Sequence, residues 1–228
     1  MPPKTLGVLG GMGPDATALF FQRVIALTPA HSDQEHIPII INNNPQIPDR
    51  TQAILANGEN PVAALKDSIA ILQKSSVDFI CIPCNTVHFY YNEIQQSTDV
   101  PIVNLIESVV DYILKIFPDI SKVGLLSTIG TIKSGLYHNE LKKHNIELVT
   151  PNEVQHDSLQ SAIHELKNQS KDTSTIQSLA NDLIRTGAQG LILGCTELSL
   201  IANELLLSVP VFDSIEILAE KAVQLALK

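Results

Sequence analysis

Two cysteines occupy comparable positions in the chain and could transfer protons. Cys84 and Cys195 each follow a short apolar run, ICIP (80–83) and LILG (191–194), and each precedes polar residues. A thiol has a reference pKa of about 8.5, and a helix N-terminus lowers it by favouring the thiolate. One cysteine could therefore act as a base while the other acts as an acid. Two such groups on opposite faces of a carbon can invert a stereocentre, because one removes its proton and the other supplies a new one.

The residues beside the cysteines are suited to hold an anion. Asn85, Thr86 and Thr196 offer short polar side chains, and the first N–H groups of the following helical segments should point into the same space. Two turns of small residues, GGMG (10–13) and STIG (127–130), let the backbone come close. These groups favour a carboxylate or an enediolate-like transition state.

The remaining cysteine, Cys81, lies within the apolar run FICIP and is predicted to be a core residue. With Cys84 it forms a C-x-x-C pattern, which could indicate a redox or metal site. However, strand alternation places one of the two cysteines in the core. No second C-x-x-C or histidine pair completes a zinc site, and Cys195 stands apart. We therefore expect no metal and no disulfide.

Short apolar runs alternate with longer amphipathic segments, which predicts an α/β protein with parallel sheets. The predicted strands lie near residues 4–9, 37–42, 77–82, 101–103, 121–126, 146–149, 189–193 and 209–212. Helix starts are indicated at Pro14, at Asn60-Pro61 and after Pro151. Ligands of parallel α/β sheets bind beyond the carboxyl ends of the strands, where Cys84 and Cys195 are expected.

An internal repeat indicates that the chain consists of two similar halves. The matched blocks are VLGGMG (8–13) with LLSTIG (125–130), ICIPCNT (80–86) with LILGCTE (191–197), and VPIVNLIES (100–108) with VPVFDSIEI (209–217). The blocks occur in the same order in both halves, as a duplicated domain would leave them. We therefore predict two similar parallel-sheet α/β domains that face each other across a cleft, with one cysteine from each.

The composition excludes several classes of protein. Hydrophobic residues make up 44% of the 228 residues and charged residues 17%, which is typical of a globular protein. The net charge is −9 and the basic residues form no stripe, which argues against nucleic-acid binding. The first apolar run, Leu6 to Leu9, is too short for a signal peptide or a membrane span. We expect a cytoplasmic protein without a membrane segment.

A nucleotide-binding oxidoreductase is one competing interpretation. Residues 11–16 match the G-x-G-x-x-A pattern between a strand and a helix. The dinucleotide fingerprint also requires an acidic residue at the end of the next strand, whereas that strand ends in Asn42, Asn43 and Asn44. This interpretation is therefore disfavoured.

Five segments resemble the aspartate/glutamate racemase family: GGMGP (10–14), NNNPQIPDR (42–50), PCNTVH (83–88), STIGT (127–131) and GCTE (194–197). The resemblance covers essentially the full chain. It implies a two-base mechanism without a cofactor, with Cys84 and Cys195 as the catalytic pair. It also implies a homodimer and two α/β domains related by a pseudo-twofold axis. The resemblance further implies that the C-terminal segment returns to the first domain, so that the expected domains comprise 1–102 plus 210–228, and 103–209.

The resemblance also implies which residues bind the substrate. Met12 lies in a turn that lines the pocket, and the matching arginine of the family, Arg50, grips a second carboxylate of an acidic amino acid. Lys167 provides a further positive contact or is a solvated lysine at a helix end. The positions that hold the α-carboxylate and the amino group are Asn85, Thr86, Thr128, Thr131 and Thr196.

Some alternatives stay open at this point. His88 and Glu197 could tune the neighbouring cysteines, but each is as readily explained as an ordinary helix residue. Related folds act on glutamate, hydantoins or maleate, and a two-lobed protein could also bind a small ligand without catalysis. Aspartate and glutamate differ by one methylene, which is worth only about 1–3 kcal/mol of discrimination.

Overall fold

The computed structural model of the protein describes residues 3–167 and 172–228 and contains two parallel β-sheets. The first sheet has the order β2-β1-β3. Its strands are β1 (Leu6–Gly10), β2 (Ile39–Asn43) and β3 (Phe79–Cys81). A single bridge between Ile80 and Ile102 adds one more parallel partner beside β3.

The second sheet repeats this arrangement. Its order is β5-β4-β6-β7, with β4 (Lys122–Leu126), β5 (Glu147–Val149), β6 (Leu191–Leu193) and β7 (Val211–Asp213). If β1 is matched with β4, the remaining strands and the Ile102 bridge follow in the same spatial order. The prediction of two similar parallel-sheet α/β halves is confirmed.

Helices cover the sheets as the sequence pattern predicts. We find α1 (Pro14–Leu27), α2 (Arg50–Ile54), α3 (Val62–Lys74), α4 (Tyr91–Gln95), α5 (Leu105–Ile116), α6 (Ile129–Ser134), α7 (Leu136–Lys142), α8 (Glu153–Lys167), α9 (Ser174–Arg185) and α10 (Ser214–Ala226). The three helix starts predicted from prolines are confirmed in α1, α3 and α8. Within residues 3–167 and 172–228, no helix is long and apolar enough to cross a membrane.

The buried side chains form three apolar clusters that explain this layering. The largest contacts both central strands, β1 and β4, and includes residues of α1, α5, α7 and α10. A second cluster joins β3 and β1 to α3, and a third joins β4 and β6 to α8 and α9. Both central strands are buried on their two faces, as parallel strands in α/β proteins usually are.

The last segment of the chain is shared between the halves. Strand β7 pairs with β6 in the second sheet, whereas α10 packs against α1 and α5. Matching N-caps start α5 and α10: Asn104 and Asp213 each accept two backbone N–H groups. The predicted segment 210–228 thus contributes its strand to the second sheet and its helix to the layer between the sheets. The limits 1–102 plus 210–228 and 103–209 stay a prediction.

Candidate active site

A pocket lies where the carboxyl ends of the central strands of both sheets meet. All the predicted site residues except Thr131 line it. The complete lining is Met12, Asp49, Arg50, Thr51, Cys84, Asn85, Thr86, Thr128, Gln160, Lys167, Cys195, Thr196 and Glu197. Both halves of the chain contribute, because the loops after β1 and β3 face those after β4 and β6. The repeat therefore brings the two predicted cysteines to one cavity.

Both pocket cysteines are only 5% exposed, yet their surroundings differ. Cys195 Sγ donates a hydrogen bond to Glu197 Oε2 at 2.9 Å. Burial raises the pKa of Cys195 well above its usual value, and the negative charge of Glu197 and this hydrogen bond raise it further. Lys167 acts in the opposite direction. Without a ligand, the pocket therefore favours the protonated thiol at Cys195.

Each cysteine is followed by a 3₁₀ helix, whereas the sequence pattern predicts a helical segment of unspecified type. These helices cover Thr86–Tyr90 and Leu198–Leu200. A 3₁₀ segment is short because its hydrogen-bond geometry is poorer than that of an α-helix. The stabilisation of a thiolate by an extended helix dipole is correspondingly limited, and nearby side chains gain importance.

Cys81 lies apart from the pocket. It is fully buried at the end of β3, where Val8 of β1 is its parallel neighbour, and burial strongly raises the pKa of its thiol. It forms no disulfide. In the described part of the chain, no group of three or more His, Cys, Asp or Glu side chains is arranged to hold a metal ion. The prediction that Cys81 is a core residue is confirmed.

Asn85 is held rigidly at the base of the pocket. Its Oδ1 accepts a hydrogen bond from Tyr137 OH at 2.6 Å, and its Nδ2 donates to Ser214 Oγ at 3.0 Å. Burial raises the pKa of Tyr137, which keeps the phenol a donor. An amide NH₂ has two N–H groups, so one remains for a ligand. The side chain thus projects one donor from a fixed position.

Three threonine hydroxyls connect the two halves beside the pocket. Thr86 Oγ1 lies 3.0 Å from Thr128 Oγ1 and 2.8 Å from Thr131 Oγ1. Thr128 also caps α6, because its side chain accepts the N–H of Thr131. Thr131 lies behind the other two and does not line the pocket. Its hydroxyl can orient Thr86 and Thr128, which face the cavity.

Arg50 is buried, only 9% exposed, although without the family motif a surface arginine is the simpler expectation. Its Nη1 donates to the carbonyls of Ile47 and Pro48, and its Nη2 donates to the carbonyl of Met12 at 3.2 Å. A guanidinium has five N–H groups. The Nε–H and one Nη2–H remain, and Nε is buried without a partner. A buried donor of this kind requires an acceptor, which a ligand in the pocket can supply.

Lys167, at the end of α8, reaches the pocket and is not a fully solvated lysine. Its side chain is 35% exposed, and Nζ lies 3.7 Å from Glu197 Oε1. Partial burial lowers its pKa, but the negative charge of Glu197, together with the two nearby cysteines when they are ionised, raises it more. The net result is a pKa above the usual value. The pocket is therefore lined by a stable ammonium group as well as by the buried guanidinium of Arg50.

Comparison with known proteins places this geometry in a family. A sequence profile described as Asp/Glu/hydantoin racemase matches residues 9–222. The chain belongs to this family. The broad specificity amino-acid racemase RacX of Bacillus subtilis is 30% identical over 230 residues, covering 96% of each chain. The family that the five sequence motifs indicate is therefore confirmed.

Solved structures of racemases have the same fold. The aspartate racemase of Picrophilus torridus superposes with a TM-score of 0.87 at 33% identity, covering 99% of this chain and 95% of that one. An aspartate racemase homologue from Pyrococcus horikoshii gives a TM-score of 0.78 at 28% identity, covering 99% and 100%. The racemase fold therefore extends over the whole length of this protein.

The pocket also contains residues that the sequence analysis did not select. Glu197 is buried between Cys195 and Lys167. Gln160 accepts the N–H of Ile129 through Oε1, which leaves its amide NH₂ for the cavity. The sequence spacing could have indicated both residues. Glu197 follows Cys195 by two residues, and Gln160 precedes Lys167 by two helical turns, which places Gln160 and Lys167 on the same helix face. Asp49 and Thr51 complete the rim.

His88 ties the first cysteine loop to α5. Its Nε2 accepts the N–H of Leu105 at 3.1 Å, which assigns the proton to Nδ1. Nδ1 then donates to the carbonyl of Cys84 at 2.8 Å. Burial lowers the pKa of His88, so the ring is neutral at physiological pH. His88 therefore fixes the backbone of Cys84 and does not face the cavity.

The glycine-rich turn after β1 serves close packing. Gly11 has φ of 98°, a backbone conformation that other residues rarely adopt, and a Cβ there would lie 2.3 Å from the carbonyl carbon of Asn44. The turn is therefore pressed against the end of β2, where the strand continues into asparagines. This contact explains the glycine without a nucleotide.

Proposed function

We propose that this racemase interconverts L- and D-aspartate without a cofactor, with Cys84 and Cys195 as its two bases. The observation that carries the proposal is that one thiol from each half lines the same pocket, at equivalent strand ends. When ICIPCNT (80–86) is aligned with LILGCTE (191–197), the cysteine is the one residue that is identical in both segments.

The proposed reaction needs one proton removed and one supplied. The thiolate of one cysteine takes the Cα proton, and the electron pair that is left delocalises into the α-carboxylate. The thiol of the other cysteine then donates its proton to the opposite face of Cα. One S–H bond forms, one breaks, and the product is the other enantiomer. The reverse reaction exchanges the roles of the two groups.

Neutral donors surround the position where charge would develop. The hydroxyls of Thr86 and Thr128 and the remaining N–H of Asn85 can donate to an α-carboxylate or its enediolate form. The Thr196 hydroxyl donates to Glu197 Oε2 at 3.4 Å, so its oxygen can accept from the amino group of the substrate. These groups are held by neighbouring protein groups, so little reorganisation is needed when charge builds up. This preorganisation makes the weakly acidic Cα proton removable.

The second carboxylate of the substrate would be bound by Arg50. Its buried Nε–H lacks a partner, and one Nη2–H is also unused. Together they can donate to two carboxylate oxygens, and Lys167 adds a further positive charge. The relative from Picrophilus torridus is named an aspartate racemase, which favours aspartate. Glutamate is the second candidate, because it differs from aspartate by only one methylene group.

The family resemblance also leads us to propose a homodimer that acts in the cytoplasm. All the residues to which we assign a role in the reaction come from one chain, and the only other molecule that the proposed reaction involves is the amino acid. A non-catalytic binding protein is disfavoured, because it would not need a thiol at both strand ends. A related isomerase of maleate, which is also a dicarboxylate, is the alternative that D-aspartate formation excludes.

The proposal can be tested by a racemisation assay. Reduced enzyme, dialysed against a chelator and free of pyridoxal phosphate, is incubated separately with L-aspartate, L-glutamate and L-alanine. Chiral chromatography should show a higher kcat/KM for aspartate and glutamate than for alanine, because only a dicarboxylate satisfies Arg50, and we propose that aspartate is the better of the two. Addition of pyridoxal phosphate should leave the rate unchanged. Absence of any D-isomer, or a rate that depends on added pyridoxal phosphate, would contradict the proposal.

A further inference from the structure

The two halves of the site differ at one equivalent position. In the repeat, Thr86 and Glu197 each follow their cysteine by two residues. Thr86 donates to or accepts from neighbouring hydroxyls only, whereas Glu197 places a carboxyl group against the Cys195 thiol. The pseudo-symmetric pocket therefore has a carboxyl group on one side.

The position of Glu197 is fixed by several contacts. Its Oε2 accepts from Cys195 Sγ at 2.9 Å and from Thr196 Oγ1 at 3.4 Å. Its Oε1 lies 3.7 Å from Lys167 Nζ and against Gly13, where a Cβ would approach it to 3.2 Å. The side chain is thus packed between a thiol and an ammonium group and has little freedom to move away.

Cys84 has no comparable partner. Its Sγ makes no hydrogen bond within residues 3–167 and 172–228, and its backbone is held by His88. The charged or titratable groups that face the thiols from the surrounding elements are Glu197, Lys167, Arg50 and Asp49, besides the thiols themselves.

We propose that Glu197 is a positioning residue that holds Cys195 in its protonated form, so that Cys195 starts the reaction as the proton donor and Cys84 acts as the base. This inference rests on the proposed two-base function and adds to it which cysteine is the base and which is the acid at the start of the reaction. The resting enzyme is ready to deprotonate the enantiomer whose Cα–H faces Cys84. Lys167 balances the charge of Glu197 and limits how strongly the proton is retained on Cys195.

One cycle in this direction moves protons in a defined sequence. The Cα proton passes to the Cys84 sulfur, and the Cys195 proton passes to the other face of Cα. The enzyme is left with a Cys84 thiol and a Cys195 thiolate beside Glu197. Solvent then removes the proton from Cys84 and returns one to Cys195, which restores the resting form without any other reactant.

The assignment of the starting acid and base can be tested by measuring how fast each cysteine is alkylated, because the thiolate is the form that reacts. Reduced protein without substrate is treated with iodoacetamide between about pH 6 and pH 10, and peptide mass spectrometry follows each cysteine. In the native protein, Cys84 should be labelled before Cys195. In Glu197→Gln, labelling of Cys195 near neutral pH should increase about tenfold for each unit by which its pKa falls.

A second variant makes the test independent of simple loosening of the pocket. Lys167→Met removes the positive charge, so labelling of Cys195 should become slower. A role in packing alone would make both variants more reactive. Buried Cys81 reports unfolding, and Glu216→Gln, which disrupts the Arg23–Glu216 ion pair of 3.1 Å elsewhere, serves as the matched control.

Opposite shifts of Cys195 reactivity in the two variants support the inference, whereas equal reactivity in the native protein and Glu197→Gln overturns it. If Glu197→Gln exposes Cys81, Lys167→Met decides alone: slower Cys195 labelling supports the inference, and unchanged or faster labelling overturns it. Labelling needs no turnover, so a failure of the proposed racemisation would be seen separately in the activity assay.

Discussion

Replacement of either Cys84 or Cys195 by alanine is expected to abolish racemisation, with kcat reduced by at least about 10²–10⁴-fold, the usual contribution of a positioned acid or base. The remaining thiol faces only one side of Cα, so it can exchange the proton but cannot invert the centre. Both side chains border the cavity, so truncation should leave the fold intact. The measurement is D-aspartate formation by each variant, with circular dichroism to check the fold.

Cys81→Ala is the matched control for this experiment. It removes the same atoms from a third cysteine that is buried in β3 outside the pocket. We expect it to lose some stability, as cavity-forming changes in a core do, but to keep its turnover. Near-native activity of Cys84→Ala or Cys195→Ala would exclude the two-base mechanism.

Arg50→Lys is expected to weaken aspartate binding about 10- to 150-fold, the equivalent of one lost charged hydrogen-bond arrangement. Lysine keeps the charge but cannot present two parallel N–H groups to a carboxylate. Because Arg50 also donates to the carbonyls of Met12, Ile47 and Pro48, some loss with every substrate is expected. The measurement compares the dissociation constants of aspartate and alanine by titration calorimetry.

The decisive quantity is the loss of affinity caused by Arg50→Lys, compared between aspartate and alanine. Alanine lacks the second carboxylate, so its affinity should fall much less than that of aspartate. Arg23→Lys, a change of the same type in the partly exposed ion pair with Glu216, should alter neither. An equal loss for aspartate and alanine in Arg50→Lys would remove Arg50 from substrate recognition.

The fold was predictable because its strands are short, apolar and repeated. The blocks around residues 8–13 and 125–130 become β1 and β4, the central strands of the two sheets. The division of the C-terminal segment between β7 and α10 was harder to predict, since it depends on packing between helices distant in sequence. That packing brings α10 against α1, and nothing in the local pattern specifies it.

The candidate site was predictable where chemistry is tied to a motif. The thiols and the short polar residues beside them follow strands, which places them at the carboxyl edge of each sheet. Gln160 was missed, and Glu197 was considered but not selected, because both lie on helical or turn segments, where glutamate and glutamine are usually solvated. Only the tertiary structure shows that Glu197 is enclosed between Cys195 and Lys167.

The most direct test of the two-base account is to follow deuterium and configuration together. L-aspartate is incubated with the native enzyme in D₂O, and Cα deuteration and D-aspartate formation are measured at early times. The account predicts that the D-aspartate first formed carries deuterium at Cα, because the proton supplied to the opposite face comes from a solvent-exchanged thiol. D-aspartate that retains the original proton, or no isomerisation and no exchange, would contradict it.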